Sequence, residues 1–544
     1  MRWHICLLAV VLAISGCSMG PSKSPTSTAT PSPTPAPSPT PVPSQANDVL
    51  TYHNDNARTG LMSSETILTP ANVNATSFGL LRTLSVDGKV DAQPLYVSNL
   101  GNHNLLLVAT EHGTVYSFDA DSGSIVWQVS MLQAGESPSD NHGCSQVTPE
   151  IGITATPVID RSAGPHGTAY VVAMSKNGGT YFQRLHALDL STGSEEFGGP
   201  RTITASFPGI GDNSSGGQVV FDPGQYKERP GLLLLNGVVY TAWSSHCDNR
   251  PYTGWLISYD QNTLVQTTVF NLTPNGNEGS FWNSGAGPAA DSNGNIIALQ
   301  ANGTFDTTLN AQGFPSQGNF GNSFLKISTT NRQLAVADYF APFNVAAENS
   351  VDEDLGSGGA LVLPDLQDAG GVTRHLAVGA GKDGHIYVVD RDNMGKFNSA
   401  DNSRIYQDLA GSLAGQVFSM PAYFNNVIYY GAVGDKLKAF PIANARVAGS
   451  PSSQSSITFP FPGTTPSISS NGGGNGIVWS AENSNPAVLH AYDATNLTRE
   501  LYNSNQAANG RDHFGAGNKF ITPTIAHGKV YVGTTNGVGV FGLL

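Results

Sequence analysis

Charged residues make up only 12% of this chain, about half the share usual in globular domains. Long surface helices need Glu, Lys and Arg on their solvent faces, so this scarcity argues against a helical architecture. No run of Lys or Arg occurs and the net charge is −14, which excludes a nucleic-acid partner bound by electrostatics. Cysteine is rare: the chain has four, none adjacent, none at zinc-site spacing and none in a haem-attaching Cys-x-x-Cys-His. Gly-x-Ser-x-Gly, His-Glu-x-x-His and phosphate-cradling glycine loops are missing as well. After the first residues no stretch is apolar enough to cross a bilayer as a helix. What the chain has in quantity is Gly, 62, and Pro, 33, the residues of tight turns between short strands.

The first twenty residues place Arg2 before an apolar run, Ile5 to Ile14, of signal-peptide length. Ile14-Ser15-Gly16-Cys17 resembles the bacterial lipobox. That resemblance implies that residues 1–16 are removed as a lipoprotein signal peptide and that Cys17 carries lipid. Residues 17–46 are dominated by Pro, Ser and Thr, which bury nothing and hold an extended, disordered stalk. Anchor and stalk together predict an exported protein, lipid-anchored to a bacterial membrane at the periplasm or cell surface. Of the remaining cysteines, Cys144 and Cys247 are expected to pair in that oxidising compartment, the alternative being two buried thiols.

Residues 47–544 repeat one pattern. "LLLVATEHGTVYSFDADSGSIVWQVS", from Leu105, parses as strand, Gly turn, strand, Gly turn, strand, with "AQPLYVSN" ahead of it as a further strand. Small-residue-plus-Pro starts recur at Pro94, Pro157, Pro230, Pro288, Pro421, Pro466 and Pro523, with "GSGGALVL" near Gly359 in the same slot. Each is followed by a second β-rich run. Modules of this length cannot cover both their own faces and must stack. The reading is an all-β, eight-bladed propeller of four-stranded antiparallel blades. The last unit runs out after three strands, so Phe78–Gly88 is expected to supply its outer strand and close the ring.

Asp119, Gly123 and Trp127 fall at small-x-Asp-x-x-x-Gly-x-x-x-Trp spacing, which looks like the tryptophan-docking motif of quinoprotein propellers. "ILTPANVNATSFGLLRTLSVDG" and "AGKDGHIYVVDRDNMGK" are likewise similar to stretches of quinoprotein alcohol dehydrogenases, and the architecture matches from Leu68 to the end. The chain thus resembles the PQQ-like (pyrroloquinoline quinone) propeller repeat family, including bacterial lipoproteins of that type. The resemblance implies roles residue by residue. Trp282 matches the Trp beneath the quinone, Asn302 the calcium-ligating Asn, Asp354 (with Asp352 as the second candidate) the catalytic base and Lys382 the cation that contacts the quinone oxygens. The family's glutamate ligand has no counterpart on the second unit, where Thr168–Leu188 contains no carboxylate, and the adjacent cysteine pair that covers the quinone is missing.

Two polar loops stand apart from that set. Ser244–Trp255 gathers His246, Asp248, Arg250 and Trp255, and Asn509–Gly517 gathers Arg511, Asp512 and His513; both are candidates to line a pocket at the propeller mouth. The leading reading is a monomeric, membrane-anchored binding or scaffold module with a vestigial quinone site, needing no cofactor and taking a protein or glycan at its mouth. The alternative is a dehydrogenase dependent on PQQ and Ca²⁺ that oxidises an alcohol or sugar.

Overall fold

The computed structural model describes residues 47–544; the leader, Cys17 and the Pro/Ser/Thr-rich stretch lie outside the described residues. The molecule is nearly all β. Among the described residues the sole α-helix is the short Val345–Ser350.

Eight sheets of four or more strands succeed one another along the chain, with one two-stranded and one three-stranded sheet beside them. The first is an antiparallel meander of Leu95–Leu100, His103–Ala109, Thr114–Asp119 and Ile125–Ser130. The leading strands of the next seven begin at Val158, Leu233, Ala289, Leu361, Ala422, Ser467 and Thr524, each one to three residues after the expected Pro or Gly. Proline suits that position because the missing N–H falls just outside the ladder. Three strands of the eighth sheet come from the C-terminus. Its fourth is Phe78–Ser85, antiparallel to Gly537–Leu543, with Phe78 opposite Leu543 and Ser85 opposite Gly537.

Burial follows from stacking. All six residues of Thr114–Asp119 are buried, whereas the outer strand Ile125–Ser130 alternates and leaves Ile125 exposed. A strand covered on both faces loses the inside–outside alternation of a half-solvated sheet. The apolar clusters run across sheet pairs: Ile386 and Phe440 share one, Tyr170 and Trp255 another, Trp479 and Phe541 a third. The first sheet shares its cluster with the second, through Val171, and with the eighth, through Tyr531.

Trp127 shows how one sheet locks to the next. Its Nε1 donates to Leu190 O at 2.8 Å in the second sheet, and a Cβ on Gly193 would stand 2.6 Å from its ring. Asp119 holds its own turn, accepting from Ser122 N at 2.7 Å and Asp121 N at 3.1 Å. Gly123 fills the positive-φ turn position and lies against Arg82 and Leu84. The glycine that makes room for Trp127 is therefore the corresponding one of the following repeat, not Gly123.

A segment that the sequence did not single out, residues 48–65, is laced along the leading strands. Val49 pairs with Tyr96 in the first sheet and Leu50 O accepts from Ile159 N in the second. Asn56 Nδ2 donates to Leu234 O in the third, and Asn56 O accepts from Ala290 N in the fourth. Val362, Tyr423 and Ile468 then donate to Ala57, Thr59 and Gly60, and Gly528 N reaches Glu65 Oε2 at 2.8 Å. Each of the eight sheets is met in chain order.

Candidate functional site

Two kinds of segment converge at one end of the sheets: those entering a leading strand and those leaving a second strand. Trp282 and Asp354 lie on entries to the fourth and fifth sheets, ahead of Ala289–Ala290 and Leu361–Val362. Asn302 and Lys382 lie on exits, just after Ile296–Leu299 and Leu376–Ala380. These segments are tied tightly to one another. Asn283 Nδ2 donates to Leu299 O and Gly358 O, both at 2.9 Å, and Ser284 Oγ donates to Ser357 O at 2.7 Å. A side chain on Gly356 would collide with the backbone of Gln300 and Ala301, so the entry to the fifth sheet needs a glycine there.

The four residues line a single cavity of about 310 Å³. Lys382 Nζ stands 2.8 Å from Asp354 Oδ1, 2.5 Å from Asp352 Oδ1 and 5.7 Å from the centroid of the Trp282 ring. Asp354 is 1% exposed, and its Oδ2 has no hydrogen-bond partner. Burial pushes its carboxyl up and the neighbouring ammonium pulls it partly back, leaving it at about 6. Desolvation pulls Lys382 down, but Asp354 and Asp352 outweigh it and the ammonium titrates above its ordinary value. Trp282 sits edge-on against Phe418 at 5.5 Å and Phe520 at 5.8 Å, its buried Nε1 unpartnered.

The disulfide expected from the sequence forms. Cys144 and Cys247 are bonded with Cα atoms 5.6 Å apart, joining segments 103 residues apart, and Cys247 lines the cavity with Asp248. Asp248 Oδ1 accepts from Tyr252 Oη at 2.8 Å. His246 lies behind this wall, stacked on His142 at 4.1 Å, and its ring nitrogens are buried without partners. Burial drives that imidazole down to about 2, so it stays neutral.

The other candidates lie elsewhere. Arg250 spends its fork on Asp212 at 2.7 and 2.8 Å on an exposed loop. Trp255 is wholly buried in the core between the second and third sheets, against Phe221. Arg511 and Asp512 pair with each other and clamp the strand Phe78–Ser85: Asp512 Oδ1 accepts from Leu80 N at 3.0 Å, and Arg511 donates to Ala75 O and Phe78 O. His513 follows on that clamp, packed against Gly510. The loop Asn509–Gly517 thus serves the outer strand of the eighth sheet, because its charges satisfy backbone groups there. Sequence reading missed the aromatics Phe418, Phe461 and Phe520 of the mouth. All three precede a small-residue-plus-Pro start by three to five residues, and that offset was the available signal.

The cofactors implied by the resemblance divide at this cavity. A flat ring has an aromatic wall in Trp282 and a cation in Lys382. A calcium ion, which takes six to eight oxygen ligands, does not fit: Asn302 offers one amide oxygen, and the Asp354 carboxylate already faces an ammonium 2.8 Å away. Lys176, on the strand where the missing glutamate would stand, is occupied by Asp140 at 2.6 Å.

No family model matches the sequence, and no curated protein matches it. Solved structures do. The quinohemoprotein alcohol dehydrogenase of Comamonas testosteroni aligns with a TM-score of 0.61 over 91% of this chain and 80% of that one, at 14% identity. The quinohemoprotein alcohol dehydrogenase ADHIIG of Pseudomonas putida HK5 gives 0.56 over 92% and 80%, at 13% identity. A europium-containing methanol dehydrogenase gives 0.57 over 92% and 98%, at 12% identity. The fold of this chain is the PQQ-type β-propeller fold seen in those quinoprotein dehydrogenases.

Proposed function

We propose that this chain is a lipid-anchored envelope protein whose eight sheets close into an eight-bladed ring and whose mouth is a binding site rather than a metal-assisted redox centre. The ring is supported by the lacing of residues 48–65 across all eight sheets and by the first sheet's shared core with the second and eighth. The carrying observation for function is the position of Lys382. Its ammonium lies between Asp352 and Asp354, so the positive charge of the site is a side chain of the protein. The ligand that suits the cavity is a glycan: Trp282, Phe418 and Phe461 offer apolar faces to a sugar ring, while Asn302, Asp248 and Asp352 offer hydrogen-bond partners to its hydroxyls. The test is calorimetric titration with soluble cell-envelope oligosaccharides. Saturable binding lost in Trp282→Ala supports the reading, and equal binding by that variant overturns it.

The second reading is a PQQ-dependent dehydrogenase. It is favoured by the convergence of Trp282, Asn302, Asp354 and Lys382 on one cavity beside a disulfide. In it PQQ would supply hydride-accepting chemistry, Trp282 would support its ring, Lys382 would pair with its oxygens, and Asp354 would hold the proton taken from an alcohol. Reconstitution with PQQ, with and without Ca²⁺, separates the two. Stoichiometric quinone binding with dye reduction by alcohols establishes the second reading, and its absence under both conditions leaves the first.

A further inference from the structure

Arg229 precedes the leading strand of the third sheet and is 2% exposed. A guanidinium carries five donors, yet among the described residues this one makes no hydrogen bond or ion pair in the structure. It lies over the ring of Phe520, with Cζ 5.0 Å from the centroid, and a Cβ on Gly285 would stand 3.5 Å from Cζ. Buried charges are ordinarily paired. The groups around it add to the surplus. Lys227 is 1% exposed and donates to Ser245 O at 2.7 Å; burial, then the field of Arg229, bring it down to about 7. Lys519 is pulled down by burial and by Lys89.

Against these cations stand Asp248, Asp91 and Glu111, all three of which act on Lys227. Asp91 is engaged by Lys89 at 3.0 Å and by Asn518 Nδ2 at 3.0 Å. Burial and the charge of Asp91 raise Glu111 well above its ordinary value, which keeps it protonated. Two anions, Asp91 and Asp248, therefore stand against Arg229, Lys89, Lys519 and a part-charged Lys227, so cations still outnumber anions here, in a chain whose net charge is −14. The backbone is also unusual here. Phe520 holds φ at +64°, and Asn283, Ser284 and Gly285 are left-handed in succession, conformations that cluster at ligand clamps.

We propose that Arg229 is the anchor of an anion site on the propeller axis that takes the carboxylate of a small molecule. The planar guanidinium fork pairs two nitrogens with two carboxylate oxygens, and the neighbouring lysines supply the remaining field. The site does not rest on the glycan reading, since Arg229 is not among the residues lining the cavity. The aromatic pair Trp282–Phe520 separates the two, so Trp282 fluorescence reports occupancy.

The experiment titrates the purified protein with citrate, succinate and inorganic phosphate at constant ionic strength set by chloride, read by calorimetry and Trp fluorescence. Expected are one saturable carboxylate site, at least tenfold weaker in R229Q and unchanged in R250Q, whose guanidinium is on the surface. Failure of the wild type to bind any carboxylate saturably would overturn the proposal, as would equal affinity in R229Q or a preference for phosphate. Should R229Q not fold, R229K carries the test: it keeps the charge and loses the fork. A loss of threefold or more supports bidentate pairing, and undiminished affinity overturns it.

Discussion

Two arginines are buried beside the entry to the third sheet's leading strand, and they are treated in opposite ways. Arg58, fully buried in the laced segment, donates through Nε to Pro288 O at 3.0 Å. Its other nitrogens reach Thr51 Oγ1 at 2.7 Å, Tyr52 O at 2.8 Å and Leu232 O at 3.2 Å. Arg229, at the mouth, has an aromatic ring beneath it and no acceptor. The first arginine finishes a structural joint between the lace and two sheets, the third and the fourth. The second is left without an acceptor, the state that the proposed anion site requires.

The sharpest break of that comparison removes the structural side altogether. Deleting residues 47–88 takes away both the lace and the strand Phe78–Ser85, removing hydrogen bonds from each of the eight sheets and the outer edge from the eighth. The expected outcome is loss of cooperative unfolding, read by circular dichroism and protease resistance. Next comes the arginine pair itself. Arg58→Met orphans four buried acceptors, at about 1–3 kcal/mol each, so a loss of about 5 kcal/mol or more is expected in denaturant titrations. Arg229→Met removes an unpaired buried charge and is expected to leave stability unchanged or raised in the absence of ligand. A comparable loss in both variants would erase the distinction.

The strands were legible because Gly and Pro punctuate them and β-branched residues fill them. The disulfide was legible because only Cys144 and Cys247 remain beyond the leader. Trp282, Asn302, Asp354 and Lys382 were legible only through resemblance. No spacing in the chain shows that an entry loop at 354 meets an exit loop at 382. The lace was not legible, since Thr51–Gly60 has no periodicity, much of its bonding runs through backbone groups that any residue carries, and nothing in the spacing of Asn56 or Arg58 shows that their side chains reach backbone carbonyls more than 170 residues away. Arg511 and Asp512 misled for a related reason: a charged loop looks the same whether it faces a ligand or satisfies the backbone of a neighbouring strand.

The disulfide sharpens the comparison at the mouth. Closing a loop of 103 residues is worth about 4–5 kcal/mol in the chain-entropy account. The double variant Cys144→Ser, Cys247→Ser is expected to lose that much stability. It is also expected to weaken ligands of the cavity, which Cys247 lines, while leaving the lace intact by hydrogen exchange. Loss of protection at residues 49–60 would show that the two regions are not separable.

The smallest expected effect is a pH dependence confined to Asp354. Folded, its carboxyl titrates at about 6; unfolded, it titrates at about 3.9. Below about pH 4 both states are protonated and no charge is buried, so the stability is fully present. As pH rises the unfolded chain ionises first. The folded state falls behind until its own carboxyl ionises at about 6, a loss of roughly 2–3 kcal/mol across that window. The difference in urea midpoint between wild type and Asp354→Asn should therefore change between pH 4 and 7 and level off above it. Lys382→Met removes the ammonium that holds the carboxyl down, so the window should extend upward in pH. A flat difference would mean that Asp354 is solvated like an ordinary surface acid, and the mouth would then lack the dry, charged wall on which the proposed binding role depends.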